Sequence, residues 1–542
     1  MYGNRISWAD SRGLRSHVDR IATVLRLGLC LALLLKISGA QQLAEAVKKG
    51  TGVIELPAGT TVLTGELRIP DGAHDLELRG HPAGSTLKAA AGFKGRALIV
   101  AKGAMNLRLT GFQIDGNRAA LDARIGLPPS DVPFSRYYSN NGILIEGARG
   151  VTIRNIGFQG VANFPVLVSA SSGILIEDVR IEDSGSLNPL GRNNASGGIL
   201  LEEGTSNFQI RRATIHRVRG NAIWTHSNYH SARNAEGVIA DNQIEEIARD
   251  AIQVGHATNV RVERNSGRRI GYPMELVDMA GYGVPAALDT AGNVDKSVYA
   301  GNHFEDVNGK CIDLDGFHDG EVRDNSCVSR KTYDDYPFAQ YGIVFNDTNP
   351  DYEPANVTIT GNLIDGAGYG GLFIFGATNV VSRNRFLNLN RNHCTGDVSK
   401  PRCNYAADQP DLLRSGIYLA RGAARPADTR QNQITDNEIS GFGMENWCIV
   451  AAPGVSLERN QIARNRCTSG PFRQRQLDWS GSRDHLAKSN RHGVLAGLRS
   501  RRQHGVDLPP PFGIRFGEED RGQIVFSEAH RHIGLRAARR QP

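Results

Sequence analysis

Residues Ala240 to Ser266 read A-D-N-Q-I-E-E-I-A-R-D-A-I-Q-V-G-H-A-T-N-V-R-V-E-R-N-S. Asn242 returns as Asn265, 23 residues on. Between them, Ile252-Gln253-Val254 alternates apolar and polar, the pattern of a short strand with one face buried. A unit of this size is too short for a helix pair and suits three short strands joined by turns. Such a unit cannot bury its apolar face alone, so it must stack on copies of itself.

The copies run along the chain. An asparagine followed closely by an apolar residue recurs at Asn155, Asn242, Asn265, Asn302, Asn325, Asn362, Asn384, Asn437 and Asn460, with Asp178 and Arg212 in equivalent places. Successive spacings are 23, 34, 30, 23, 37, 23, 37, 22, 53 and 23, so 22–23 residues is the bare unit and the excess is insertion. Asparagine suits the recurring turn because it tolerates the left-handed backbone, and its amide can bond to the neighbours above and below. The ladder is read as structural.

Composition agrees. Among 542 residues there are 62 Gly, only 7% aromatics and few long helical patterns, which points to turn-rich β-structure. The net charge of +7 belongs to the tails. Residues 41–467 hold 43 basic and 47 acidic side chains, no nucleic-acid footprint. Residues 1–40 read as an export signal: Arg5, Arg12, Arg15 and Arg20, an apolar run from Leu27 to Leu35, then Ser38-Gly39-Ala40 for cleavage. The run is short of the ~20 apolar residues a membrane span needs. After cleavage the expectation is a secreted or periplasmic protein with no stable membrane insertion. Residues 468–542, rich in Arg and His, read as a disordered basic tail. Of seven cysteines, Cys30 falls in the signal. The six that remain are read as disulfides Cys311–Cys327, Cys394–Cys403 and Cys448–Cys467, and no C-x-x-C points to zinc.

These features resemble the pectin-lyase-like superfamily of right-handed parallel β-helices, which includes pectate lyases, polygalacturonases, alginate lyases and epimerases, and phage tailspikes. V-I-E-L-P-A-G-T (Val53 to Thr60), L-R-G-H-P-A-G-S-T-L (Leu78 to Leu87) and F-Q-I-D-G-N (Phe112 to Asn117) resemble its first coils. The resemblance implies an all-β, single-stranded right-handed parallel β-helix over 41–467, with Gln41 to Lys49 a short helix capping its open end. One fold carries many functions, so the resemblance leaves activity open. The N-T-D run and the G-H-G of polygalacturonases are missing.

The strand after each turn has the form G-I-x-L-x. Its inward residues align as Ile143/Ile145, Ile199/Leu201, Ile223/Thr225, Ile252/Val254, Leu288/Thr290, Ile312/Leu314, Ile343/Phe345, Leu372/Ile374 and Ile417/Leu419. The outward residues change along the stack. Leu144 and Glu146, then Leu200 and Glu202, give way to Trp224 and His226, Gln253 and His256, Asp289, Asp313 and Asp315 with His318 beyond, and Asn346 with Asp347. Later come Phe373, Phe375, Tyr418 and Val450. Insertions precede these strands at 118–141, 188–196, 227–236, 267–285, 329–340 and 390–415, and carry Tyr137, Tyr138, Tyr229, Tyr272, Tyr282, Tyr333, Tyr336 and Tyr405. The expectation is an exposed polar floor under aromatic walls, suited to sugar rings.

Three functions follow. A glycoside hydrolase would use Asp313 and Asp315 as acid and base, with Asp289 as alternative partner; an i,i+2 separation of ~6.8 Å suits inversion. A uronate lyase or epimerase would use His226 or His256 as base, with Asp289, Asp313 and Asp315 as candidate Ca²⁺ ligands. This reading is weakened by the lack of any Lys or Arg on the central outward face; Lys310, Arg268 and Arg269 would have to reach in. A non-catalytic glycan-binding or surface β-helix is the third. Trp224, Gln253, His318, Glu202, Asn346, Asp347, Tyr229 and Tyr282 are the expected substrate contacts, and a polysaccharide is the expected partner. The hydrolase is preferred. Oligomeric state is left open.

Overall fold

A computed structural model describes residues 39–193, 196–278, 284–331, 341–346, 353–397, 403, 409, 411–421 and 428–470. The expected signal, up to residue 38, and the basic tail from 471 lie outside them, as do Asp347, Tyr282, Tyr333, Tyr336 and Tyr405.

Short strands wind into one continuous parallel coil, each pairing with the strand a full turn away. This is the right-handed parallel β-helix, the hand that parallel crossovers take. A helix at Gly39–Val47 closes the N-terminal end with Leu43 and Val47 buried, two residues ahead of the expected start. The last strand among the described residues is Arg466–Ser469. No helix among the described residues is long and apolar enough to cross a membrane.

The register agrees with the alignment read from sequence. Ile143 pairs onward through Val166, Ile199, Ile223, Ile252, Leu288, Ile312, Ile343, Leu372 and Ile417. One rung, Val166–Ser169, is missing from that alignment; Pro165 precedes it, where Gly142, Gly198, Gly342, Gly371 and Gly416 precede other rungs. All these inward side chains are fully buried. The three expected disulfides are formed.

The asparagine ladder is real, with two corrections. The amides of Asn242, Asn265, Asn302, Asn325, Asn362, Asn384 and Asn437 each donate to the next rung at 2.8–3.0 Å. The final acceptor is Asn465; Asn460 belongs to a second, shorter ladder and accepts from Asn432 at 2.9 Å. The left-handed residue is also not the ladder asparagine but the one before it, such as Asp241, Arg264, Asp324 or Arg383. Asn155, Asp178 and Arg212 are themselves left-handed, so they align with Asp241. In those early coils Ile156, Val179 and Ala213 hold the ladder position, and the amide chain starts only at Asn242, which accepts from the Ala213 N–H.

Candidate functional site

The outward residues of the strand stack form one register column: Val100, Leu144, Leu167, Leu200, Trp224, Gln253, Asp289, Asp313, Val344, Phe373, Tyr418 and Val450. Sequence had placed Asp289 beside Asp313, and the register agrees. The expected exposure is wrong. Asp313 and Asp315 are only 1% and 2% exposed, and Asp289 retains 8%.

Early in the column the covering material is apolar. Insertion 118–141 folds down so that Phe134 and Tyr138 pack with Leu144, Phe164, Leu167, Leu200 and Trp224 in a second hydrophobic cluster outside the coil. Phe134 meets Trp224 edge-on at 4.9 Å and His226 at 5.1 Å. Glu202 is buried here. Its two oxygens accept the backbone N–H groups of Phe134 and Ser135 at 2.8 and 3.0 Å, anchoring the short helix Phe134–Tyr137. Burial raises its pKa despite these bonds. Glu202 and Trp224, expected to touch substrate, instead hold this insertion in place.

In the middle the covered surface is ionic. Gln253 accepts from the Asn221 amide at 2.6 Å and donates to Asp289 at 2.5 Å. Asp250 accepts the Ala286 N–H at 2.8 Å and lies 3.4 Å from the Arg249 guanidinium. The Lys310 ammonium pairs with Asp313. Burial pushes the carboxyl of Asp289 well above its ordinary range, and the charges of Asp250 and Asp313 push it further. Burial raises Asp250 and Asp313 too, opposed chiefly by Arg249 for the former and Lys310 for the latter. Burial and the neighbouring carboxylates thus favour the protonated form of Asp289.

Arg249 and Asp250 were missed, and Lys310, expected only as a cation reaching in from outside the face, pairs with Asp313. Strict alternation sends Lys310 inward with Ile312 and Leu314, so the central face seemed to lack a cation. Lys310 lies at the strand's first residue, where the coil turns a corner and pleat parity no longer sets direction. Asp250 could have been found by aligning the residue two before each inward position: Asn221, Asp250, Ala286 and Lys310.

The flanking histidines occupy separate places. His256 is buried with a left-handed backbone, and burial together with the charge of Arg233 pushes its pKa down to about 4. Its ring meets that of Tyr229 at 4.9 Å. His226 leans on Trp224. His318 is half-buried, sits beside Asp295 in register, and donates from Nδ1 to the Gly316 carbonyl at 3.2 Å. Asp315 and Asn346 are register neighbours and both buried.

The expected Ca²⁺ ligands do not gather. Among the described residues, only His216, Glu245 and Glu246 bring three such ligand atoms together, and Arg268 and Arg269 pair with the two glutamates. Asp289, Asp313 and Asp315 form no such group, and a buried lysine already pairs with Asp313. This donor set does not fit a divalent ion.

Residues 99–282 match the family described as "Right handed beta helix region". No curated protein matches the sequence. Among solved structures, the N-terminal fragment of bacteriophage Phi29 gene product 12 is 12% identical; the match covers 79% of this chain and 69% of that one, with a TM-score of 0.55. PfbA, a surface adhesin of Streptococcus pneumoniae, is 14% identical over 65% of this chain and 85% of that one, TM-score 0.46. A hyperthermoactive exopolygalacturonase from Thermotoga maritima is 13% identical over 78% and 86%, TM-score 0.41. At such identities a likeness speaks for the fold alone.

Proposed function

We propose that this right-handed parallel β-helix protein is a secreted glycoside hydrolase acting on a polysaccharide, with its acid–base chemistry at Asp289 and Asp313. What supports this is the buried Asp289, whose surroundings favour its protonated form, adjacent in register to a second carboxylate whose upward shift a lysine counters. A general acid must be protonated at working pH, and a carboxyl buried among carboxylates is one way to achieve that. Asp289 also keeps more solvent contact than Asp313 or Asp315, which suits the residue that gives a proton to a leaving group.

The pairing changes the expected stereochemistry. Neighbouring strands lie ~4.8 Å apart, close to the ~5–5.5 Å carboxyl separation of retaining enzymes. The i,i+2 pair Asp313 and Asp315 suited inversion instead. Gln253 aims Asp289, Lys310 holds Asp313, and the three disulfides suit an oxidising compartment. A second reading, a uronate lyase or epimerase, gains from Lys310 and Arg249, which supply the cations that it lacked; neutral His256 would be its base.

The test is turnover on a panel of plant, algal and bacterial polysaccharides. New reducing ends without unsaturated sugar, lost in Asp289→Asn and Asp313→Asn, support hydrolysis. Unsaturated ends support the lyase. Folded protein that binds glycans without forming product leaves the binding role, and full activity in either variant removes that residue from the chemistry.

A further inference from the structure

A cleft of about 850 Å³ opens on another part of the coil. It runs along the corner after the third strand of each turn, past Ser329, Gly366, Leu389, Phe442 and Ser469. Five stacked turns at ~4.8 Å make it roughly 20 Å long. It shares no residue with the column that holds Gln253, Asp289 and Asp313.

We infer that this cleft binds an acidic oligosaccharide, a chain of sugar rings carrying carboxylates. Phe442 is 38% exposed, where most of the protein's phenylalanines are buried. His393 lies parallel to it, ring centres 4.4 Å apart and planes within 9°. This aromatic platform is held rigidly. The buried Asn390 side chain donates to the carbonyls of Cys394 and Phe442 and accepts the Cys394 N–H, and Cys394 is tied to Cys403. His393 is kept in the left-handed backbone region by the same loop. Fixed, half-exposed aromatic rings suit the C–H faces of sugars.

Charge selects the acidic class. Arg330 and Arg391 line the cleft beside the platform. Arg330 pairs with Asp365, whereas Arg391 donates to the carbonyls of Ser329, Gly366 and Arg330 and pairs with no carboxylate among the described residues. Its positive charge is thus uncompensated in the wall. A planar guanidinium is the group that reads a sugar carboxylate in two-point fashion. Glu445, the acidic residue of the lining, sits toward the opposite end with Ser469, whose hydroxyl accepts its backbone N–H.

The test is calorimetric titration of the folded full chain with oligogalacturonate and with its methyl ester, in the wild type and in Asp289→Asn. Both proteins bind the acid form and bind the ester at least roughly ten-fold more weakly. Phe442→Ala and Arg391→Gln lose roughly ten-fold or more in affinity, and Phe442→Tyr, which keeps the ring, restores it. A cooperative thermal transition no lower than that of the wild type shows that each variant is folded. Equal affinity for the ester overturns the acidic assignment. Wild-type affinity in both cleft variants, or loss of binding in Asp289→Asn, moves the site to the central column and overturns the inference. No binding by the folded wild type overturns it as well, and leaves the hydrolase reading to be judged by turnover alone.

Discussion

Leu200 and Asp313 stand in the same outward column, four rungs apart, and both are buried. The surroundings differ. Leu200 packs with Phe134, Tyr138 and its register neighbour Trp224 in an apolar cluster, which the hydrophobic effect drives and the Glu202 hydrogen bonds anchor. Asp313 lies among Asp250, Asp289, Arg249 and Lys310, where every charge has lost water and must find a partner. Burying paired ions is often no better for stability than burying hydrocarbon. The ionic rungs therefore interrupt a column that could have been apolar throughout, as it is again at Val344 and Phe373. Stability does not explain them, whereas the proton chemistry proposed above would.

The largest test of that contrast is Lys310→Met. It leaves Asp313 buried without its cation, and chemical denaturation should show a loss of about 3–5 kcal/mol. Adding Asp313→Asn should recover most of it; failure to recover would mean that the lysine acts through packing rather than charge. Leu200→Ala attacks the apolar side and should cost about 3 kcal/mol, with polysaccharide turnover unchanged. A turnover loss there would show that the two regions are one working unit. Asn302→Ala breaks the asparagine ladder, which begins at Asn242 and runs under the ionic rungs but not under Leu200. It strands the buried Asn265 backbone N–H and removes one bond each from the Asn265 amide and Asn325 Oδ1, which keep the Ile239 carbonyl and the backbone N–H of residue 302 as partners, at about 1–3 kcal/mol.

The smallest effect is a pH dependence. The Asp289 pKa is raised in the fold above its ordinary 3.8, so the folded state holds a proton that the unfolded chain releases. Its contribution is full below pH 3.8 and is lost as pH rises through the folded value. Asp289→Asn should therefore melt higher than wild type at neutral pH, with the advantage vanishing toward pH 3.8. His256 works in the opposite sense. Its pKa falls from 6.5 to about 4, so its contribution is present above pH 6.5 and is lost as pH drops toward 4. His256→Gln should flatten that acid limb in a series of melting curves. Parallel pH curves for Asp289→Asn and wild type would place Asp289 in a wetter site than its burial indicates.

Much of this was legible in the residues. The spacing of Asn242, Asn265, Asn302 and Asn325 determined the coil, since a 22–23-residue unit with one apolar face can be satisfied only by stacking. Period-two alternation determined which side chains of Ile312-Asp313-Leu314-Asp315 point inward and which outward, and it brought Asp289 beside Asp313. Cysteine parity and position determined the disulfides. These are local or periodic properties, and they survive without knowledge of what lies above the strand.

Only the tertiary structure decided what covers the outward face. Insertion 118–141 seals the early rungs and turns Glu202 and Trp224 from expected substrate contacts into anchors for a loop. The corner of the coil swings Lys310 onto Asp313 against the parity of its strand. The residue pair that carries the proposed chemistry shifts accordingly, from neighbours along one strand to neighbours across two. The reason is physical. Alternation states which side of a sheet a residue faces, whereas burial, ionisation and pairing depend on atoms far away in sequence, which no periodicity encodes.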